Sequence, residues 1–210
     1  MLVKIHRALA VILGLFVLTH LGVHMAAFGG PDAHERALDV VRVVYRNRFI
    51  EPILILAALT QIIAGARLAA RRWREAGKGF WGWAQIVSGV YLGAFLLLHF
   101  SAALAARHLG GIETNFYWPA GTLTVGPLPY FFAPYYFMAV VAIFTHLAAA
   151  VHFHFGERAW GRLAPKFMIG AGALLGAFLV SVFSGVFFAF DLPPAYQGYY
   201  GNYVALFPGR

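Results

Sequence analysis

Two apolar stretches of this chain can be laid on each other residue for residue, and each carries a histidine at the same place. With an offset of 79 positions, Val11, Leu13, Gly14, Phe16 and His20 match Val90, Leu92, Gly93, Phe95 and His99. A stretch this long and apolar folds as a helix in lipid, where the hydrocarbon offers no partner for a free N–H or C=O. An ionisable imidazole inside such a helix is costly and is usually kept for function. The repeat therefore constrains the fold to membrane helices and leaves one chemical question, which is what two equivalent histidines hold. They are either two unrelated core histidines, each bonded to a neighbouring carbonyl, or a pair of axial ligands to one haem.

Composition agrees with the membrane reading. Hydrophobic residues make up 61% of the chain and charged residues 11%, with a mean hydropathy of +0.72, far from the balance of a water-soluble domain. The expected fold is all-α, a single membrane domain over 1–210: two repeated helical hairpins and a fifth helix. The expected spans lie near 4–28, 50–72, 81–107, 133–156 and 166–190, each long enough for a hydrocarbon core of ~30 Å. Pro52, Pro134 and Pro165 are read as markers of helix starts, where a missing N–H costs little. Cys is absent, which excludes disulfides, thiolate-bound clusters and covalently attached haem within this chain. The span near 4–28 is read as a span rather than a cleaved signal, because its apolar run is too long and contains His20.

Loop charges give an orientation. Ten Lys and Arg residues, among them Lys4, Arg7, Arg71, Arg72 and Arg162, fall on one side, and six, Arg36, Arg42, Arg46, Arg48, Arg107 and Arg210, on the other. The bias places the N-terminus inside and the C-terminus outside, as in a multi-pass protein of a bacterial inner membrane. The net charge of +8 is assigned to lipid headgroups at helix ends, and nucleic acid is not expected as a partner.

Depth supports pairing of the histidines. The first and third spans run in the same direction, and His20 and His99 each lie eight residues before the expected outer end, ~12 Å below it at 1.5 Å per residue. Two level imidazoles on neighbouring or diagonal helices can grip one porphyrin in a bundle core. With both axial positions filled, such an iron favours electron transfer over oxygen chemistry. Gly14, Gly22, Gly89 and Gly93 leave room beside it.

A weaker repeat, offset by 85, relates the second and fourth spans: Ala57, Thr60, Gln61 and Ala64 match Ala142, Thr145, His146 and Ala149. Gln61 is a poor iron ligand, so His146, a candidate second-site ligand, lacks an evident partner. His152 and His154, at the inner end of the fourth span, are read as interfacial residues.

The run Trp83-Ala-Gln85-Ile-Val-Ser88-Gly89, continuing through Phe95 to His99, resembles a motif of the cytochrome b membrane anchors of the succinate dehydrogenase and fumarate reductase family, in particular the five-span dihaem kind. His6-Arg7 followed by the apolar run to His20 is similar to that family's first helix. Gln61-x-x-x-Gly65-x-Arg67 is similar to its second, with the ligand histidine replaced. The resemblance covers the first four spans.

It implies a haem b held by His20 and His99, with Ser88, Gly89 and Gly93 at the cofactor, and a broken second pair at Gln61 and His146. One haem is expected and two are allowed, with Gln61 as the residue that removed the inner one. The implied function is membrane electron transfer with quinone as a candidate substrate. The chain would be at most the membrane subunit of an oxidoreductase, with no catalytic residue or catalytic domain of its own. Soluble flavin and iron-sulfur subunits and a second copy of this chain are candidate partners. Arg107 and His108 are candidate contacts for outward-pointing haem propionates, and His6 and Arg7 for a quinone headgroup. The competing class is a cofactor-free transporter or assembly protein on the same scaffold.

Three segments carry less. The aromatic connection from Leu109 to Ala133 is a candidate cap, a quinol pocket or an interfacial belt. Gly170, Gly172 and Gly176 suit close helix packing or a subunit interface. The tail after Asp191 is read as an outer cover or a partner contact.

Overall fold

The computed structural model describes residues 1–75 and 77–205. Arg210, one of the six charges counted on the outer side, lies outside the described residues. Among those residues the chain is all helix, with no strand. Five helices are long and apolar enough to cross a membrane: α1 (Leu2–Ala26, extended by a 3-10 turn to Gly29), α3 (Ile50–Trp73), α4 (Gly79–His108), α6 (Pro129–Phe155) and α7 (Ala159–Phe183). Three shorter helices connect or follow them: α2 (Pro31–Tyr45), α5 (Tyr117–Thr124) and α8 (Pro194–Ala205). Because the spans alternate in direction, all three short helices fall on the side opposite the N-terminus.

The ends follow the backbone's needs. Gly30 takes a left-handed φ of 92°, which turns the chain into α2, where Pro31 and Asp32 open the first turn and Arg42 sits in the last. Acid at the start and base at the end complement the helix dipole. The same pairing recurs in α3, with Glu51 in the first turn and Arg71 and Arg72 in the last.

The first three spans lie within about two residues of expectation, and the last two do not. α6 begins at Pro129, and Pro134 lies inside it. α7 runs seven residues earlier than expected, with Pro165 buried inside the helix. Pro165 was read as a start, whereas the actual boundaries are set by Arg158, extended at the N-cap, and by Gly185 at the other end. Gly185 has φ 77°, and the Val186 N–H reaches back to the Ser181 carbonyl at 3.1 Å, the left-handed glycine stop that closes many helices. An internal proline is tolerated in a membrane helix when neighbouring helices cover the freed carbonyl.

Packing runs in chain order: α1 against α3, α3 against α4, α4 against α6, and α6 against α7, whose far end meets the turn after α1. The α6–α7 seam is close because Gly172 faces Phe144 and Gly176 faces Phe137 and Val140. The fifth span thus uses two of its glycines for packing within the chain, while Gly170 has open space. Tyr91 and Tyr135 clasp α4 to α6, the Tyr91 hydroxyl donating to the Tyr135 carbonyl at 2.8 Å and the Tyr135 hydroxyl to that of Phe95 at 3.3 Å. Leu15, Leu18, Leu56 and Leu174 are exposed and form lipid-facing surface. Val40, Val43 and Val44 of α2 are exposed too, on a helix whose other face carries ions, a pattern that suits a seat at the membrane interface.

Candidate functional site

α1, α3, α4 and α6 surround a cavity of about 1480 Å³. A typical small-molecule site has ~300–1,000 Å³, so there is room for more than one ordinary ligand. Its walls are mostly apolar, with polar groups gathered at two levels.

At the level away from the N-terminus stand His20 and His99, their ring centroids 6.0 Å apart. The sequence repeat is also a structural one: Phe16 stacks on His20 and Phe95 on His99, each four residues earlier and each with rings within 14° of parallel. Each phenyl ring restricts its imidazole in the same way, so the repeated frame delivers the two histidines in equivalent poses.

Two further histidines join them. The Nε2 of His24 lies 3.1 Å from the Nε2 of His20, and its Nδ1 lies 3.3 Å from the Nε2 of His34. His34 is buried between Phe116 and Phe183. Burial, with the His20 ring and the Arg42 charge nearby, holds its pKa down at about 4, so it is neutral at pH 7. Neither His24 nor His34 was read from the sequence as a site residue. His24 had a signal, since it falls one helical turn after His20. His34 had none, because α2 was not foreseen as a helix.

Arginines close this end. Arg107, Arg42 and Arg46 all line the cavity. Arg107 pairs with Glu51, tying α4 to α3, and Arg42 pairs with Glu35 at 2.6 Å. Arg46 donates to Glu113 at 2.6 Å and to Thr114 at 2.8 Å, and that bond holds the Glu113 carboxyl below the usual carboxylate range. Nitrogens of Arg42 (Nε and Nη2) and of Arg107 (Nε) remain buried without a hydrogen bond. His108 is exposed at the end of α4 and does not line the cavity; the structure brings Arg42 and Arg46 there beside Arg107. The connection from 109 to 133 supplies α5, whose Trp118, Pro119 and Leu123 form part of the wall. The tail supplies α8, which holds α5 in place: the Tyr196 hydroxyl lies 2.7 Å from the Glu113 carbonyl oxygen and 2.8 Å from Asn115 Oδ1, and Tyr200 donates to the Trp118 carbonyl.

At the level nearer the N-terminus the cavity meets Gln61, His146, His6 and Arg7. His6 packs against Gly65, one turn past Gln61, at 3.4 Å from the position a Cβ would take. Gly89 makes room for the His146 ring, which a Cβ would approach at 3.0 Å. Ser88, buried beside it, bonds His146 Nδ1 at 3.2 Å and donates its own proton to the Ala84 carbonyl at 2.6 Å. Gly14 and Gly93 line the cavity between the levels, Gly14 with nothing within 4 Å of an added Cβ.

Two histidines and three arginines at this end are residue types that a haem would use. Two imidazoles sharing one metal through bonds of ~2 Å have ring centroids about 6 Å apart, which is the His20–His99 separation. Among the described residues no group of three or more His, Asp or Glu converges as a site for a bare metal ion. A porphyrin supplies four of the iron's ligands itself and asks only two of the protein. The buried Nε atoms of Arg42 and Arg107, which make no hydrogen bond, are donors of the kind that carboxylates pair with. No family model, curated relative or solved structure matches this chain.

Proposed function

We propose that this protein is a haem b-binding subunit for membrane electron transfer, with His20 and His99 as the axial ligands. The observation that carries the reading is the pairing of the two imidazoles at 6.0 Å across the cavity, in poses repeated down to the stacked phenylalanines. A haem bound this way supplies one-electron chemistry at an iron with no free axial position. The chain's part is to hold the ligands, bury the macrocycle among apolar side chains and counter the propionate charges with Arg107, Arg42 and Arg46. Helix motifs similar to those of succinate dehydrogenase and fumarate reductase anchors favour quinone as the exchange partner, with His6 and Arg7 at the inner cavity mouth and the arginine-lined outer end as the places for its headgroup. Soluble partner subunits and an N-terminus on the inner side of the membrane belong to the same proposal.

A second reading has one observation in its favour. The histidines bond one another, His20 to His24 and His24 to His34, so the cluster pairs part of its own polar surface, as a cofactor-free core would, with His34 Nδ1 left unpaired. A reduced-minus-oxidised spectrum of the protein purified from haem-replete cells, with the haem-to-protein ratio, separates the two. Sharp low-spin bands of a b-type haem are expected; a protein without a Soret band overturns the haem reading in favour of the cofactor-free class.

A further inference from the structure

The two phenylalanines that stack on His20 and His99 are themselves held, and by the same device. The Tyr45 ring lies 4.7 Å from the Phe16 ring and the Tyr135 ring 4.7 Å from the Phe95 ring, centroid to centroid. Each tyrosine hydroxyl then bonds the helix that carries its phenylalanine and histidine. Tyr45 meets the Thr19 hydroxyl on α1, next to His20, and Tyr135 donates to the Phe95 carbonyl on α4 at 3.3 Å. Both tyrosines are anchored from behind as well. Arg46, the residue after Tyr45, is bound to Glu113 and Thr114, and the Tyr135 carbonyl accepts from Tyr91 at 2.8 Å.

The sequence repeat does not account for this match. Tyr45 ends α2 and Tyr135 lies in α6, and neither the 79-residue nor the 85-residue offset relates them. The other ring neighbours of the two histidines differ, His24 beside His20 and Trp118 beside His99. What the two halves share is a set of three rings, tyrosine on phenylalanine on histidine. A phenylalanine free to change rotamer would release the imidazole it covers, and a tyrosine ring packed against it and pinned by its own hydroxyl removes that freedom. The two imidazole planes are thereby held 73° apart.

We infer that Tyr45 and Tyr135 are matched positioning residues, which act through Phe16 and Phe95 to fix the angle between the His20 and His99 planes. The inference rests on the haem reading above and adds to it the residues that orient the ligands, a task that partners outside the ligand set perform at other metal sites. The angle between two axial imidazole planes orders the d-orbitals of a low-spin ferric iron. It is therefore read in the anisotropy of the electron paramagnetic resonance signal.

The test uses the whole protein purified with its own haem and oxidised. Spectra of wild type, Tyr45→Leu and Tyr135→Leu are compared, with Tyr130→Leu as control, since Tyr130 is exposed near the start of α6. Expected are a strongly anisotropic signal of crossed planes in wild type, a shift of the largest g value in each Leu variant, and no shift in Tyr130→Leu. Tyr45→Phe and Tyr135→Phe, which keep the ring, should bring the signal back toward wild type. If Tyr135→Leu fails to fold, because its site also clasps α4 to α6, Tyr45→Leu carries the test, joined by Thr19→Val, which should move the signal in the same sense. A signal of unchanged shape in the Leu variants, with only the haem content or the thermal stability reduced, overturns the inference and leaves the His20–His99 assignment standing. An equal shift in Tyr130→Leu overturns it as well. No haem at all removes the proposed function, and this inference with it.

Discussion

The Nε2 atoms of His20 and His24 face each other at 3.1 Å, one helical turn apart on α1. An iron taking the lone pair of His20 would compete with His24 for it, and His24 is the neighbouring imidazole that could take its place. The assignment is tested by separate substitutions. His20→Ala and His99→Ala should each abolish the low-spin bands, whereas His24→Ala should retain them at the wild-type haem ratio. Loss of the bands in His24→Ala with retention in His20→Ala would move the ligand by one turn.

Arg107 should set the potential of the outer haem. Its guanidinium lines the cavity with a buried, unpartnered Nε, so Arg107→Gln removes a positive charge that favours the more electron-rich, reduced state. A redox titration should show the midpoint falling by on the order of 30–60 mV, equivalent to about 0.7–1.4 kcal/mol for one electron. His108→Gln, changing an exposed side chain off the cavity, should leave the midpoint where it was. Equal shifts in both variants would show that the effect is one of general surface charge.

His34 makes the seat of α2 sensitive to acid. Its folded-state pKa is held at about 4 by burial first and by His20 and Arg42 next, against an ordinary ~6.5 in an unfolded segment. Between those values the released segment binds the extra proton, so the seat is at full strength above pH ~6.5 and weakens as pH falls toward 4. Tryptic cutting at the exposed Arg36 of α2, sampled from a series of pH incubations, should rise over that window. His34→Leu, which cannot take up a proton, should flatten the profile; a slope equal to wild type would assign the sensitivity elsewhere.

Gly172 should be far less replaceable than Gly170, its neighbour on α7. A Cβ there would meet the Phe144 side chain at 2.5 to 3.1 Å, while at Gly170 it would meet nothing within 4 Å. Gly172→Val should cost about 1–3 kcal/mol by overpacking, read as a lower midpoint of thermal unfolding in detergent, with Gly170→Val near wild type. Equal losses in the two variants would mean that helix propensity rather than the α6–α7 seam is being measured.

The legible parts of this molecule are those whose signal is periodic and local. His20 and His99 announced themselves because a repeated frame of apolar residues fixes both their depth and their helix face, and the structure places them together with their phenylalanines. The start of α7 misled because Pro165 is a strong local marker, while the decisive boundary signals, an extended Arg158 and a left-handed Gly185, depend on where the chain turns after leaving the bundle. α2 and α5 were read as connections, α2 because charges interrupt its apolar residues and α5 because it lies in an aromatic run between two spans. Their helical state owes much to contacts with distant segments, such as Arg46 with Glu113 and Tyr200 with Trp118. His24 was readable from its spacing, whereas His34 needed the fold, because only the return of α2 across the end of α1 brings it within reach of His24.

The placement of α2, α5 and α8 on one side also bears on how the molecule is made. α5 lines the end of the cavity away from the N-terminus and is pinned there by α8, a helix that leaves the ribosome only after all five spans. Throughout synthesis of those spans that end lacks its final fastening, and the chamber around His20 and His99 can be entered from that side. The wall that α5 contributes is therefore the last part of the cavity to be fixed, once α8 has been made.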